Sequence, residues 1–187
     1  MVIVFFTNIT FNEKEHISKY KKREKNLKNG DDELMKNYES FIKKHLEYTD
    51  EEMKVWLDNP RNQEAILKAP GMMQKTIVIK VVESHGCSSL HREGQEFYFD
   101  GPGNLLCNIN PKRICIFALS QMERLIFAAQ ELFYAGIDPN EMRIKHGGCF
   151  DVGLKCGGWG RIIFKLEFKD RKKFREELAI KTKEKND

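Results

Sequence analysis

The hydrophobic pattern changes period once along the chain, at Pro70-Gly71. Upstream of that point apolar residues recur at helical spacing. Leu34, Tyr38, Phe41, Ile42 and His45 fall three and four residues apart and form one stripe among charged neighbours. Thr49 followed by Glu52 predicts a capping box ahead of Met53, Val55, Trp56 and Leu57. Asn59-Pro60 supplies an N-cap and a first-turn proline for a short helix that ends before Pro70. Residues 12 to 28 offer only Ile17, Tyr20 and Leu27 as apolar anchors, so a helix there needs a partner surface from its own domain or from another subunit.

Downstream of Gly71 the period becomes two. Ile77, Ile79 and Val81 share one face of a strand, with Val78, Lys80 and Val82 on the other. Gln95 to Asp100 predicts a second strand, Asp100-Gly101-Pro102-Gly103 a turn, and Leu105 to Ile109 a return strand. A long helix follows, with Met122, Leu125, Ile126, Ala129, Leu132 and Phe133 on one face, and Gly136 and Asp138-Pro139 end it. Glu141 to His146 predicts another strand, and Arg161 to Phe168 alternates with Ile162, Phe164, Leu166 and Phe168 on one side. Strands, a helix and strands again predict an α+β fold, in which a mostly antiparallel sheet carries one long packed helix. The expected organisation is an α-helical N-terminal arm over 1–70, an α+β domain over 71–168, and a charged helix or tail over 169–187.

Composition adds limits rather than detail. The 187 residues are 41% hydrophobic and 32% charged, the balance of a folded chain with a sizeable core. The apolar run Val2 to Phe6 is too short to span a bilayer and no basic residue precedes it, which predicts a cytoplasmic protein without a membrane partner. Five cysteines, an odd number without an export signal, are expected to be reduced. The net charge of +4 is small, and its excess lies in the tail from Lys169. Only Lys169 to Arg175 approaches a basic patch, which reads as a solvated helix end, so no nucleic-acid partner is expected.

Three constellations could carry chemistry. The first is His85-Gly86-Cys87-Ser88-Ser89-Leu90-His91, where a thiolate and two imidazoles suit zinc or iron, although the spacing is not that of a C-x-x-C knuckle. Its bland alternative is a polar turn with Cys87 as a small hydrophobe. The second runs from Gly147 through Cys149, Asp151 and Cys156 to Gly160. Six glycines in fourteen residues let a backbone turn tightly, expose amides or approach a ligand. Trp159 would wall such a site, or cap the core if the loop is only a hairpin. The third is Cys115. A helix opening at Asn110-Pro111 would place it near a positive dipole end beside Lys112 and Arg113, favouring its thiolate. A helix opening at the capping box Ser120-Gln121-Met122-Glu123 would leave it buried and inert, and Cys107 lies in an apolar run.

The order Cys87-x-x-x-His91-x-x-Gly94-x-x-Phe97, Cys115 at the opening of a helix, and Cys149-x-Asp151 ahead of a final strand resembles a widespread family of short, uncharacterised Cys-containing proteins of anaerobic bacteria and archaea. The likeness covers residues 76 to 168 and leaves the arm unmatched. The family's usual Cys-Pro-Asp reads Cys149-Phe150-Asp151 here, and Cys156 to Gly160 is an addition to the short form. The resemblance implies a small α+β domain whose cysteines gather on one side, and it implies no reaction.

Three functional readings follow. In the first, Cys87, His91, Cys115, Cys149 and Cys156, with His85 as an alternate, hold zinc or an iron–sulfur cluster beside the glycine loop, with a small molecule of anaerobic metabolism as its substrate. In the second, Cys115 or Cys149 is the nucleophile of a thiol-dependent enzyme. Asp151 or His91 then handles the proton, the amides of Gly157 and Gly158 stabilise an anion, and Trp159 lines the pocket. In the third, the arm from Phe11 to Ala69 mediates homo-oligomerisation without catalysis.

Overall fold

The computed structural model describes residues 31 to 183, with side chains from Lys36 onward. The expectations for Val2 to Phe6 and for a helix over 12 to 28 lie outside the described residues. The chain forms two compact units with the boundary between Leu67 and Lys68.

In the first unit, α1 (Asp31–Leu46) and α2 (Asp50–Leu57) precede α3 (Pro60–Met73), which runs into the second. The capping box is present: Thr49 Oγ1 accepts from the Glu52 amide at 3.2 Å, and Glu52 Oε2 accepts from the Thr49 amide at 2.8 Å. Asn59 Oδ1 accepts from the Arg61 amide at 3.0 Å, the N-cap expected before Pro60. On α1 the aromatic stripe is self-contacting, with Phe41 and His45 stacked at 5.5 Å.

The predicted stop at Pro70 is corrected, because α3 continues through Pro70-Gly71 to Met73. An internal proline costs about 3 kcal/mol. Met72 is 1% exposed in the core of the second unit, and such burial offsets about 1.5–3 kcal/mol of that cost. Gly101 sits so close beneath this helix end that a Cβ there would lie 1.9 Å from the Met72 carbonyl oxygen.

The second unit is α+β. Strands β1 (Lys75–His85), β2 (Glu96–Asp100), β3 (His146–Gly148) and β4 (Arg161–Asp170) form one antiparallel sheet in the order β2-β1-β4-β3. The predicted faces hold. Ile77 lies between Phe99 and Phe168, Ile79 between Phe97 and Leu166, and Val81 beside Phe164. Against this face packs α4 (Ile116–Tyr134), which buries Ala118, Met122, Ile126 and Ala129 and ends ahead of Gly136. Helix α5 (Arg171–Lys183) covers part of the other face, where Phe174 and Leu178 meet Val78 and Tyr98. Ion pairs of 2.7 Å tie it down at its middle and near its C-terminal end, Lys169 with Glu177 and Lys181 with Glu96. A bulge between Val81 and Glu83 bends β1 just before the His85–His91 loop.

One predicted strand is absent and another survives only as His146 of β3, and a single device serves both places. Over 105–109 only an isolated bridge between Leu105 and Phe99 forms. Instead Asn110 offers β2 a side-chain amide: its Oδ1 accepts from the Tyr98 amide at 2.9 Å and its Nδ2 donates to the Tyr98 carbonyl at 2.7 Å. Over 141–145 the chain is a 3-10 turn (Pro139–Glu141) followed by irregular structure, and the strand begins only at His146. Asn140 serves β4 in the same way, accepting from the Phe168 amide at 2.9 Å and donating to its carbonyl at 2.8 Å. A carboxamide has the donor and acceptor of a peptide group, so one side chain does the work of one strand residue. Replacing Asn140 by Ala leaves that pair unmet and is expected to destabilise the protein by about 1–3 kcal/mol in chemical denaturation. Asn140→Asp, which lacks the donor, should rescue little of it.

Candidate active site around Cys115

The first turn of α4 meets the loop between β1 and β2 through one imidazole. His91 is 3% exposed, and its ring lies edge-on to Phe97 at 5.1 Å. Nε2 accepts the backbone N–H of Cys115 at 3.2 Å. An amide can only donate, so Nε2 carries no proton, and the proton on Nδ1 points to Gln95 Oε1 at 3.0 Å. That oxygen also accepts from the Arg92 amide at 3.3 Å, which fixes it as an acceptor. The His91 carbonyl in turn accepts from Ser84 Oγ at 2.6 Å, tying the loop back to β1.

Cys115 is the N-cap of α4, a boundary that falls between the two that the sequence offered. Its carbonyl accepts from the Ala118 and Leu119 amides at 3.1 and 2.9 Å. The thiol is half-buried and free. Cys115 Sγ makes no capping hydrogen bond. Burial pushes its pKa up, but the Ser89 hydroxyl and the Ala118 and Phe117 amides lower it by more than burial and the opposing Asp151 charge raise it. The net shift is below the ordinary thiol value. This lowering comes from the Ser89 hydroxyl and the polar groups of the helix start rather than from Lys112 and Arg113.

Asp151 organises the glycine loop. Its Oδ1 accepts from the Gly153 amide at 2.8 Å and its Oδ2 from the Trp159 amide at 3.3 Å. The Gly153 amide, foremost, holds the carboxyl below its usual pKa against a small burial effect, with help from the Gly160 and Trp159 amides. The loop closes too tightly for side chains at two points. A Cβ on Gly158 would lie 2.0 Å from Asp151 Oδ1, and one on Gly160 would lie 2.2 Å from the His85 carbonyl oxygen.

An apolar rim surrounds the thiol. Ile116 and Phe117 follow it on α4, and Phe117 stacks with Phe150 at 6.3 Å, the Phe150 amide donating to the Phe117 carbonyl. Leu90, beside Ser89, is 67% exposed with φ 61°. A non-glycine residue held in the left-handed region costs of order 1 kcal/mol, which the tight turn from the Cys87 carbonyl to the Leu90 amide imposes. That turn is what presents Ser89 to the sulfur.

The expected ligands are distributed differently. Among the described residues no group of three or more His, Cys, Asp or Glu side chains gathers to hold a metal ion. Cys87 and Cys149 are half-buried against the main core, and Cys149 Sγ accepts from the Ile162 amide at 3.4 Å. Cys156 is exposed in a 3-10 turn (Leu154–Cys156) and lines a separate cleft with His85. His91 spends both ring nitrogens inside the protein. Cys115 packs against the same core cluster as Cys87 and Cys149, and Cys156 lies apart from it.

Parts of the enzyme reading are corrected too. The Gly157 and Gly158 amides donate to the Leu154 and Gly153 carbonyls, so neither is left for an oxyanion. Trp159 is 81% exposed and does not cap the core. Cys115, Asp151 and Ser89 are brought together; Ser89 and Gln95 were not singled out by sequence reasoning. The only signal for them was position, a hydroxyl two residues before the histidine and an amide four after it.

Comparison with known proteins finds no matching family model, no similar curated protein and no similar solved structure. The chemistry of the site is read from its own geometry. Replacing His91 by Phe keeps an aromatic ring on Phe97 but leaves the Cys115 amide without an acceptor. We expect a loss of about 1–3 kcal/mol in denaturation, with faster hydrogen exchange at the Cys115 amide.

Proposed function

We propose that this is a thiol-dependent protein in which Cys115 is the nucleophile and the substrate is a small electrophile with an apolar group. The observation that carries this reading is the free Cys115 thiol at the start of α4, faced by the Ser89 hydroxyl and two helix amides that lower its pKa. The thiolate is the reactive form of cysteine, and stabilising it near neutral pH is what activation requires. Leu90, Ile116, Phe117 and Phe150 offer an apolar surface beside the sulfur.

His91 is engaged on both nitrogens, and amides hold the Asp151 carboxylate. Neither is placed to shuttle protons. Amide hydrolysis needs a general acid for the departing amine, so the arrangement suits transfer from a substrate whose leaving group departs as a stable anion, such as a thiolate. No specific geometric observation favours the zinc or iron–sulfur reading over this one.

Site-resolved alkylation across a pH series tests the proposal. The rate at Cys115 should rise with pH through a midpoint below that of an ordinary thiol, because a lowered pKa keeps the thiolate populated at lower pH. Exposed Cys107 and Cys156 serve as the accessible comparison thiols. Labelling of Cys115 no faster than theirs at neutral pH would overturn the reading.

A further inference from the structure

The face of the sheet opposite α4 carries a cleft that takes no part in the chemistry of Cys115. It opens between α5 and the 105–109 segment, encloses about 500 Å³, and reaches down to the buried Thr76 on β1. Leu105, Leu106, Ile109, Phe174 and Leu178 wall it. Leu106, Phe174 and Leu178 also belong to the small apolar cluster beneath α5, so the cleft extends that cluster to the surface.

Several charges on this side of the sheet are paired. Lys165 and Lys169 both reach Glu167, Lys169 also reaches Glu177, and Lys181 meets Glu96. Arg171 and Arg175, one turn apart on α5, break the pattern at the cleft. Among the described residues neither has a carboxylate partner. The Arg171 guanidinium donates only to the Lys75 carbonyl, at 3.4 Å. Asp100 is the one acid lining the cleft, and both its oxygens accept from Asn104, at 2.7 and 3.0 Å.

Two guanidiniums without counter-ions beside an apolar recess match a molecule with an anionic end and a hydrocarbon body. An inorganic anion would leave the walls wet, and a neutral apolar molecule would leave the arginine forks unused. We propose that this cleft binds a small apolar carboxylate, a medium-chain or aryl acid. Its oxygens meet Arg171 and Arg175 and its tail lies along Leu106, Ile109 and Leu178.

The test titrates octanoate into the full chain and follows the amide resonances of Leu106, Ile109 and Leu178. Alkylation of Cys107, an exposed thiol lining the same cleft, gives a second readout. Saturable shifts and protection of Cys107 are expected, with octanol and acetate each binding at least about tenfold more weakly. Arg175 is exposed and its side chain makes no hydrogen bond or ion pair among the described residues, so Arg175→Gln should spare the fold and weaken octanoate about tenfold or more. Arg171→Gln provides a second variant. Octanol binding as tightly as octanoate, no saturable shift, or unchanged affinity in both variants would overturn the proposal. Cys115 alkylation is read independently, so failure here leaves the thiol reading untouched.

Discussion

One imidazole sets the geometry on which the site depends. His91 is buried among apolar neighbours, and a buried ring with an unmet nitrogen would cost about 1–3 kcal/mol. The fold meets both nitrogens with groups of fixed polarity, an amide N–H on one side and a carboxamide oxygen on the other. That choice dictates the tautomer and fastens the β1–β2 loop to the start of α4. The Ser89 hydroxyl and the first amides of α4, which lower the Cys115 pKa, belong to these two elements, so joining the elements sets where they lie. The buried histidine is therefore a positioning residue, and the thiol beside it is the reactive group.

The remainder of the second unit supports this junction from below. The sheet buries Ile77, Ile79, Phe97, Phe164 and Leu166 against α4, which fixes where its first turn emerges. Beyond that turn the Asp151 loop is closed by its own amides and by glycines that let the backbone pass close to a carboxylate. Folding has used the polar groups of that loop internally, so it contributes shape and a negative charge near the thiol rather than a binding nest. Burial raises the Cys115 pKa and Asp151 opposes the thiolate, yet the hydrogen bonds of Ser89 and the helix start prevail.

Much of this architecture was legible in the sequence. The strand alternation of Ile77 to Val82 and Ile162 to Phe168, the apolar face of α4, the Thr49–Glu52 box and the Asn59-Pro60 start all reflect local periodicity and capping, which the chain writes directly. The loss of strand over 105–109 and 141–145 was not legible, because a lone asparagine amide pairing with a strand edge leaves no periodic trace. Pro70 misled for a related reason: tertiary burial of Met72 overrode a local stop signal. At the site, sequence proximity suggested that cysteines and histidines would gather. Which ring nitrogen faces an amide, and which hydroxyl faces a sulfur, depends on contacts between residues 24 positions apart, such as His91 and Cys115.

The most direct measurement is the pH titration of the Cys115 Cβ resonance in the intact protein and in Ser89→Ala. A midpoint below the ordinary thiol value, moving upward when the hydroxyl is removed, is the result predicted here. A midpoint at or above the ordinary value that ignores the loss of Ser89 would mean the sulfur is not held as a thiolate by its neighbours, and the account of the site would fail.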